Sequence, residues 1–248
     1  MLNSRWRIAK LIDGIDAALL AEYAQRMTPR LWTAPDPKLL SLRDIGRQIN
    51  RLVGRRTEAK NNLHALKSKN TTYQPLIDDE LEGIEYLEIR IKRLRNMALE
   101  IIANNEALKQ KLDNLTAAVG IGTNSAIMIV CELELLPEHL KSSQVSRFAG
   151  LDVRLTQSGT SINKPDRLSK AGNAYLRVAL FMPALSAATH DANARAFYQS
   201  LIQRGKKKMQ ALCAVMRKML TGIWACLKLN MPFDSSKLFS KEHKKACA

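Results

Sequence analysis

Aromatic side chains are scarce, at 5% of the 248 residues, although 46% of the chain is hydrophobic. A core built from this mixture is aliphatic and Ala-rich, which suits helices and argues against a β-sandwich. Cysteine is equally sparse. Cys131, Cys213, Cys226 and Cys247 form no C-x-x-C pair, and the four histidines have no ligand spacing with them. That excludes a structural zinc site and points to buried free thiols in a reducing compartment. The opening "MLNSRWRIAKLIDGIDAALL" lacks a secretory h-region and a small-residue cleavage site. The longest apolar stretch, "AAVGIGTNSAIMIVCEL", is interrupted by Gly, Thr, Asn and Ser, so it is too short and too polar to span a bilayer. The expectation is a cytoplasmic protein with no membrane partner.

Acidic residues are short in one half only. Residues 147–248 hold 18 Lys and Arg against 5 Asp and Glu, whereas residues 1–146 hold 21 against 18. A basic half beside a near-neutral one suggests a polyanion. Nucleic acid comes first, because neutralised phosphates release counterions and supply sequence-independent affinity. A membrane surface comes second, and a merely solubilising charge is the plain alternative.

Residues 10–29 read as a short amphipathic helix ended by Pro29, Pro35 and Pro37. Asp13 and Asp16 lie three apart on one face of it. Residues 38–69 read as a long helix with a seam of Leu42, Ile45, Ile49, Leu52, Ala59, Leu63 and Leu66. After "KSKNTTYQP" the seam resumes over 76–115 through Ile84, Leu87, Ile91, Leu94, Ala98, Ile101, Leu108, Leu112 and Leu115, with Asn105 as a polar member. Two such helices make an antiparallel coiled-coil hairpin whose seam would also serve to pair chains. Arg43, Arg47, Arg51 and Arg55 form a basic stripe on the first helix. It reads either as a nucleic-acid track or as a face paired with acidic residues of the second helix, with Arg55 and Arg56 near Glu85 and Glu88.

"LTAAVGIGTNSAIMIVCEL" reads as helix, Gly turn, helix, with Gly120 and Gly122 in the turn. This pattern resembles a helix-hairpin-helix, in which turn and helix N-terminal N–H groups face a phosphate. A short Gly turn is also the plain way to reverse a chain. "GLDVRLTQSGTSINKPDRLSKAGNAYLRVALFMPALSA" (150–187) begins as a Gly- and Ser-rich loop, turns basic and ends as an apolar helix. Read on its own, a Ser in such a loop is usually a turn residue. Further on, Lys206, Lys207 and Lys208 follow a Gly205 break. The last helix then carries an apolar face of Leu212, Met216, Met219, Ile223 and Leu227, and the tail "KEHKKACA" reads as frayed.

Taken in order, "LTAAVGIGTNSA", "AGLDVRLTQSGTSINKPDRLSKAGNAYLRVALFMPALSA" and "AFYQSLIQRGKKKMQALCAVMRKML" closely resemble the C-terminal domain of an insertion-sequence transposase family. This is the DEDD family related to the pilin-gene invertase, described as bridge-RNA-guided serine recombinases. "DGIDAALLAEYAQRMTPRLWTAPDPKLLSLRDIGRQINRLVGRRTEAKNNLHAL" resembles its D-x-x-D-A segment and coiled coil. The resemblance implies a mainly α chain. It would comprise a remnant of a RuvC-like domain (1–37), a coiled-coil helical hairpin (38–112), a helical C-terminal transposase domain with a helix-hairpin-helix (113–235) and a basic tail (236–248). It implies a nucleophilic Ser in the Gln-Ser-Gly segment, Ser158, with Ser161 as the rival. Arg154, Lys164, Arg167 and Lys170 would clamp the phosphate. Asp13 and Asp16 match the last two of the family's four acidic residues, which hold Mg²⁺. The earlier Asp and the Glu have no counterpart here, so the expectation is a truncated copy that is inactive alone. DNA, a guide RNA and a second copy of the chain are the implied partners. The competing expectation is a non-catalytic, dimeric nucleic-acid-binding protein.

Overall fold

The computed structural model describes residues 4–28, 34–69, 71, 73–158 and 162–239, with the backbone alone for 4–13, 155–158 and 162–166. The chain is mainly helical, as its composition demands, and divides into two compact units, Met1–Pro35 and Asp36–Ala248. The first unit contributes helix α1 (Ser4–Met27), which starts earlier than its apolar spacing indicates. Pro29 lies outside the described residues.

The second unit opens with α2 (Pro37–Lys67) and α3 (Gln74–Ala103), which pack against each other as a hairpin. Asp36 starts α2 by accepting the Lys38 N–H at 2.8 Å, and Pro37 occupies the first turn, where its missing N–H is not needed. Leu42, Ile49 and Leu52 are buried on α2, opposite Ile84, Ile91, Ala98 and Ile102 on α3. The second helix ends sooner than the seam suggests. Asn105 is not a seam residue: its side chain accepts the Leu108 N–H at 3.2 Å and caps a new helix, α4 (Glu106–Thr116). An Asn offers more at a helix start than inside one, because its amide competes for backbone hydrogen bonds. Leu108, Leu112 and Leu115 therefore belong to the core of the helical body and not to the hairpin.

The body continues with α5 (Thr123–Leu133) and α6 (Ser142–Phe148). A two-stranded antiparallel ribbon follows, β1 (Val153–Ser158) and β2 (Ile162–Leu168). Then come α7 (Ala174–His190), α8 (Ala192–Gln203), α9 (Lys208–Leu229) and α10 (Ser235–Phe239). Helix α9 is the central strut. Leu212, Met216, Met219, Ile223 and Leu227, the face expected from sequence, are all buried in one cluster with Leu176 and Leu180 of α7 and Ile127 and Val130 of α5. Each such side chain contributes about 1.5–3 kcal/mol on burial. Among the described residues no helix is long and apolar enough to cross a membrane.

Candidate functional site

The basic segment after Gly150 is a β-ribbon, not the loop its Gly and Ser content suggests. In its register Ser158 pairs with Ile162, Thr156 with Lys164, and Arg154 with Arg167, with an irregularity between Arg154 and Thr156. Ser158 thus ends its strand, and Lys164 stands opposite a position two residues away. Gly159, Thr160 and Ser161 lie outside the described residues, and so does the rival nucleophile with them. The alternation in "VRLTQS" is short, and Pro165 obscures the second strand, which explains why residue pattern alone reads as loop.

The root of the ribbon is tightly held. Ser169 N–H donates to Asp152 O at 2.9 Å, Lys170 N–H to Gly150 O at 3.1 Å, and Asn173 N–H to Phe148 O at 2.7 Å. Two glycines make this crossing possible. Gly150 has φ +65° and a Cβ there would lie 2.7 Å from Ala171 O, while Gly172 has φ +135° and faces the Phe148 carbonyl. Lys170 itself is left-handed, with φ 55°, a conformation unfavourable for a non-glycine residue.

Beneath the root lies a charge network that sequence reasoning missed. Glu132 on α5 is buried, with its side chain 4% exposed. It accepts Arg47 Nε–H at 2.6 Å and Arg47 Nη2–H at 2.9 Å, and also the Asn173 amide at 2.6 Å. Arg47 lies over the Tyr175 ring at 5.0 Å, and the Glu132 hydrogen bond pushes its pKa upward. Asn173 Oδ1 in turn accepts the Leu176 N–H at 3.0 Å and starts α7. Arg177 anchors the same region through Ala149 O at 2.9 Å. The only sequence signal was a Glu inside an otherwise apolar helix, a residue that requires a partner when buried.

This divides the basic stripe of α2. Arg47 is consumed internally, and Arg43 lies 3.8 Å from Asp44. Arg51 and Arg55 remain exposed. Of the expected pairings with α3, Arg56 reaches Glu88 at 3.8 Å, and Lys60 takes the same carboxylate at 2.9 Å. Together these cations hold the Glu88 carboxyl below its ordinary range, the Lys60 hydrogen bond having the larger effect.

The two turn glycines part company. Gly120, at φ +94°, is wedged against α7, where a Cβ would come within 2.7 Å of Pro183 O. Gly122 precedes α5 with nothing near a Cβ, and Thr123 and Asn124 beside it are exposed. The first N–H groups of α5 are therefore open to solvent at one end of the turn. Lys206, Lys207 and Lys208 are exposed at the start of α9. Cations at a helix N-terminus oppose its dipole, and none of the three forms an ion pair among the described residues. Arg167 and Lys170 of the ribbon root line one cavity together with Lys206, so the fold unites two clusters that are about forty residues apart in sequence.

Asp13 and Asp16 both lie on α1, one turn apart, and Asp16 is exposed; the side chain of Asp13 is not among those described. Among the described residues no group of three or more His, Cys, Asp or Glu is placed to hold a metal ion. Two carboxylates suit a single Mg²⁺ that completes its shell with water and phosphate oxygens, but they do not build a two-ion cage. The described thiols are free, and burial pushes Cys131 up to about 12, consistent with an inert core residue.

Residues 112–199, which run from the end of α4 through the ribbon to α8, match the model of the Transposase IS116/IS110/IS902 family. The ribbon, the Gly turn, Ser158, Glu132 and Asn173 fall inside that match, whereas Arg47 lies outside it. The chain is 28% identical over 223 residues to the pilin gene-inverting protein of Moraxella bovis, covering 90% of this chain and 67% of that one. It is equally similar to the pilin gene-inverting protein of Moraxella lacunata. It is 27% identical over 182 residues to an uncharacterized 43.6 kDa protein of insertion element IS110 from Streptomyces coelicolor, spanning 45% of that protein. These likenesses support an insertion-sequence transposase or recombinase.

Proposed function

We propose that this chain binds DNA, together with a guide RNA, and exchanges DNA strands through Ser158. In this reading the Ser158 hydroxyl attacks a backbone phosphorus. Its O–P bond forms as the P–O bond to the departing strand breaks, and the departing oxygen leaves as a hydroxyl. The hydroxyl proton of Ser158 passes to a water or hydroxide base, and the departing oxygen takes up a proton from water in turn. The resemblance gives Asp13 and Asp16 the role of carboxylates that would hold Mg²⁺, an ion that supplies Lewis-acid stabilisation of phosphoryl charge. Arg154, Lys164, Arg167 and Lys170 hold the phosphate and offset the charge that develops on it. The phosphoserine linkage keeps the bond energy for rejoining.

One observation carries the reading. Ser158 ends a strand of a ribbon that bears cations along its length and is clamped at its root by three backbone hydrogen bonds. A nucleophile that must meet a phosphorus in line needs such fixed support. Gly122 with the open start of α5, and Lys206 to Lys208, add backbone-binding surface away from the chemistry. The exposed face of α3 that carries Tyr86, Ile89 and Met97 is the candidate surface for pairing two copies.

The 248 residues by themselves are expected to bind nucleic acid without cutting it, because Asp13 and Asp16 alone do not build a two-ion cage. The test is a strand-cleavage assay with labelled DNA, Mg²⁺ and guide RNA, read for a covalent protein–DNA adduct. The expected result is no adduct from these residues alone, and an adduct lost in Ser158→Ala when a relative carrying all four acidic residues is mixed in. An adduct from this chain alone refutes the claim of inactivity. One that survives Ser158→Ala and disappears in Ser161→Ala moves the nucleophile three residues along the chain.

A further inference from the structure

Between the ribbon root and the first turns of α9 lies a cavity of about 350 Å³. Its walls are apolar: Leu151 and Leu168 from the ribbon side, Leu201 from α8, and Met209 and Ala214 from α9. Four cations stand around it, Arg167, Lys170, Lys206 and Arg217, and no carboxylate lines it. None of the four forms an ion pair among the described residues. Two apolar side chains facing the cavity stay unusually open, Val153 at 50% and Met209 at 57% exposure.

We infer that this cavity takes a single unstacked nucleobase of a nucleic-acid strand, with the strand's phosphates on the cationic rim. The inference rests on the reading that the chain handles nucleic acid, and it assigns one site within that function. A site for phosphate alone has no use for apolar walls, and a site for an apolar ligand has no use for four unpaired cations. A nucleotide presents both faces at once, a flat π-surface and an adjacent negative charge. Guanidinium groups stack on base planes, and a thioether such as that of Met209 makes favourable contacts with aromatic rings. A double helix keeps its base faces stacked, so the strand must be single or locally opened. The volume falls at the small end of ligand pockets, which suits one base and not a stacked pair. Lys170, held left-handed at φ 55°, sits where the ribbon root meets this cavity.

Cys213 lines the cavity, and it provides the readout. Cys131 and Cys226 are buried and act as internal controls. Burial raises the Cys213 thiol above its ordinary value, with partial relief from Lys170, so alkylation is slow but measurable at mildly alkaline pH. The full chain is saturated, as judged by fluorescence anisotropy, with single-stranded DNA, single-stranded RNA, or an abasic strand of the same length. Maleimide labelling of each cysteine peptide is then followed by mass spectrometry. Base-bearing strands should slow Cys213 labelling by on the order of tenfold, and the bound abasic strand should leave it nearly unchanged. Comparison of the DNA and RNA arms identifies which strand supplies the base. Ala214→Phe, which fills the cavity, should lower affinity for base-bearing strands by roughly five- to a hundredfold, toward that of the abasic strand. Equal protection by abasic and base-bearing strands overturns the inference and leaves nucleic-acid binding intact. So does binding without protection, or an Ala214→Phe chain that folds and keeps full affinity. Absence of binding to any strand overturns both.

Discussion

Replacing Arg47 with Met is expected to destabilise the fold more than replacing Glu132 with Met, although each removes the same ion pair. The asymmetry comes from what is left behind. Glu132 is 4% exposed, and without Arg47 it retains only the Asn173 amide at 2.6 Å. Its charge then sits in the core with one donor in place of three. Orphaning one member of a buried pair typically costs about 3–5 kcal/mol. Arg47 keeps 30% of its side chain exposed and lies over Tyr175, so without Glu132 it turns to water and keeps its ring contact. That loss is closer to the ~1–3 kcal/mol of charge-assisted hydrogen bonds. At roughly 2–4 °C per kcal/mol for a chain of this size, Arg47→Met lowers Tm by about 6–20 °C and Glu132→Met by about 2–12 °C. The Arg47→Met/Glu132→Met double variant should recover stability relative to Arg47→Met, because no uncompensated charge remains. Thermal and urea unfolding followed by circular dichroism measures all three. If the two single changes are equal, or the double variant is their simple sum, the network is not the buried, coupled unit argued for here.

Gly120→Ala should destabilise by about 2–5 kcal/mol, combining the left-handed backbone with overpacking against Pro183 O, whereas Gly122→Ala should be nearly neutral for folding; urea midpoints separate them, and equal effects would refute the different roles assigned to the two glycines. Neutralising Lys206, Lys207 and Lys208 together should reduce the slope of log affinity against log salt by up to about three units; an unchanged slope in a fluorescence titration places the phosphate surface elsewhere. Ile89→Asp should convert a dimer to monomers without loss of helicity, because Ile89 is 60% exposed, while Ile91→Asp should unfold the hairpin itself, because Ile91 is 2% exposed. Sedimentation with circular dichroism decides this, and a monomeric starting protein rules out pairing through α3.

The long elements were legible because their apolar spacing is regular. Leu42, Ile49, Leu52, Ile84, Ile91 and Ala98 of the seam and the stripe from Leu212 to Leu227 face the core as spacing requires, whereas Ala59, Leu63 and Leu66 at the far end of α2 are only half-buried. Where reading failed, a local polar residue acted against the pattern. Asn105 sits at a seam position yet caps α4, since a continued helix would leave its amide competing with the backbone. The ribbon was hidden because its strands are short and its pairing is set by the root, where Gly150 and Gly172 let two backbone segments cross. Such a crossing joins residues more than twenty apart and has no periodic trace. Arg47 was read as one of four equivalent arginines. Only the position of Glu132, eighty-five residues on, distinguishes it.

That last pairing bears on how the chain would work. Arg47 lies near the base of α2, and Asn173 lies between the ribbon root and α7, so the Glu132 carboxylate bonds to both. A displacement of the α2–α3 hairpin pulls on Glu132 through two short hydrogen bonds, and Glu132 pulls on the residue whose N–H closes the ribbon root at Phe148 O. The Glu132 end of this pair is buried, so a bond lost by its carboxylate is not readily replaced by water. The hairpin and the ribbon root therefore share one hydrogen-bonded link through Glu132. If Glu132→Gln keeps the fold but loosens that link, hydrogen exchange should quicken at the Lys170 and Asn173 amides while the core of α9 stays protected. Unchanged exchange at those two amides would mean that the root is held by its glycine crossing alone.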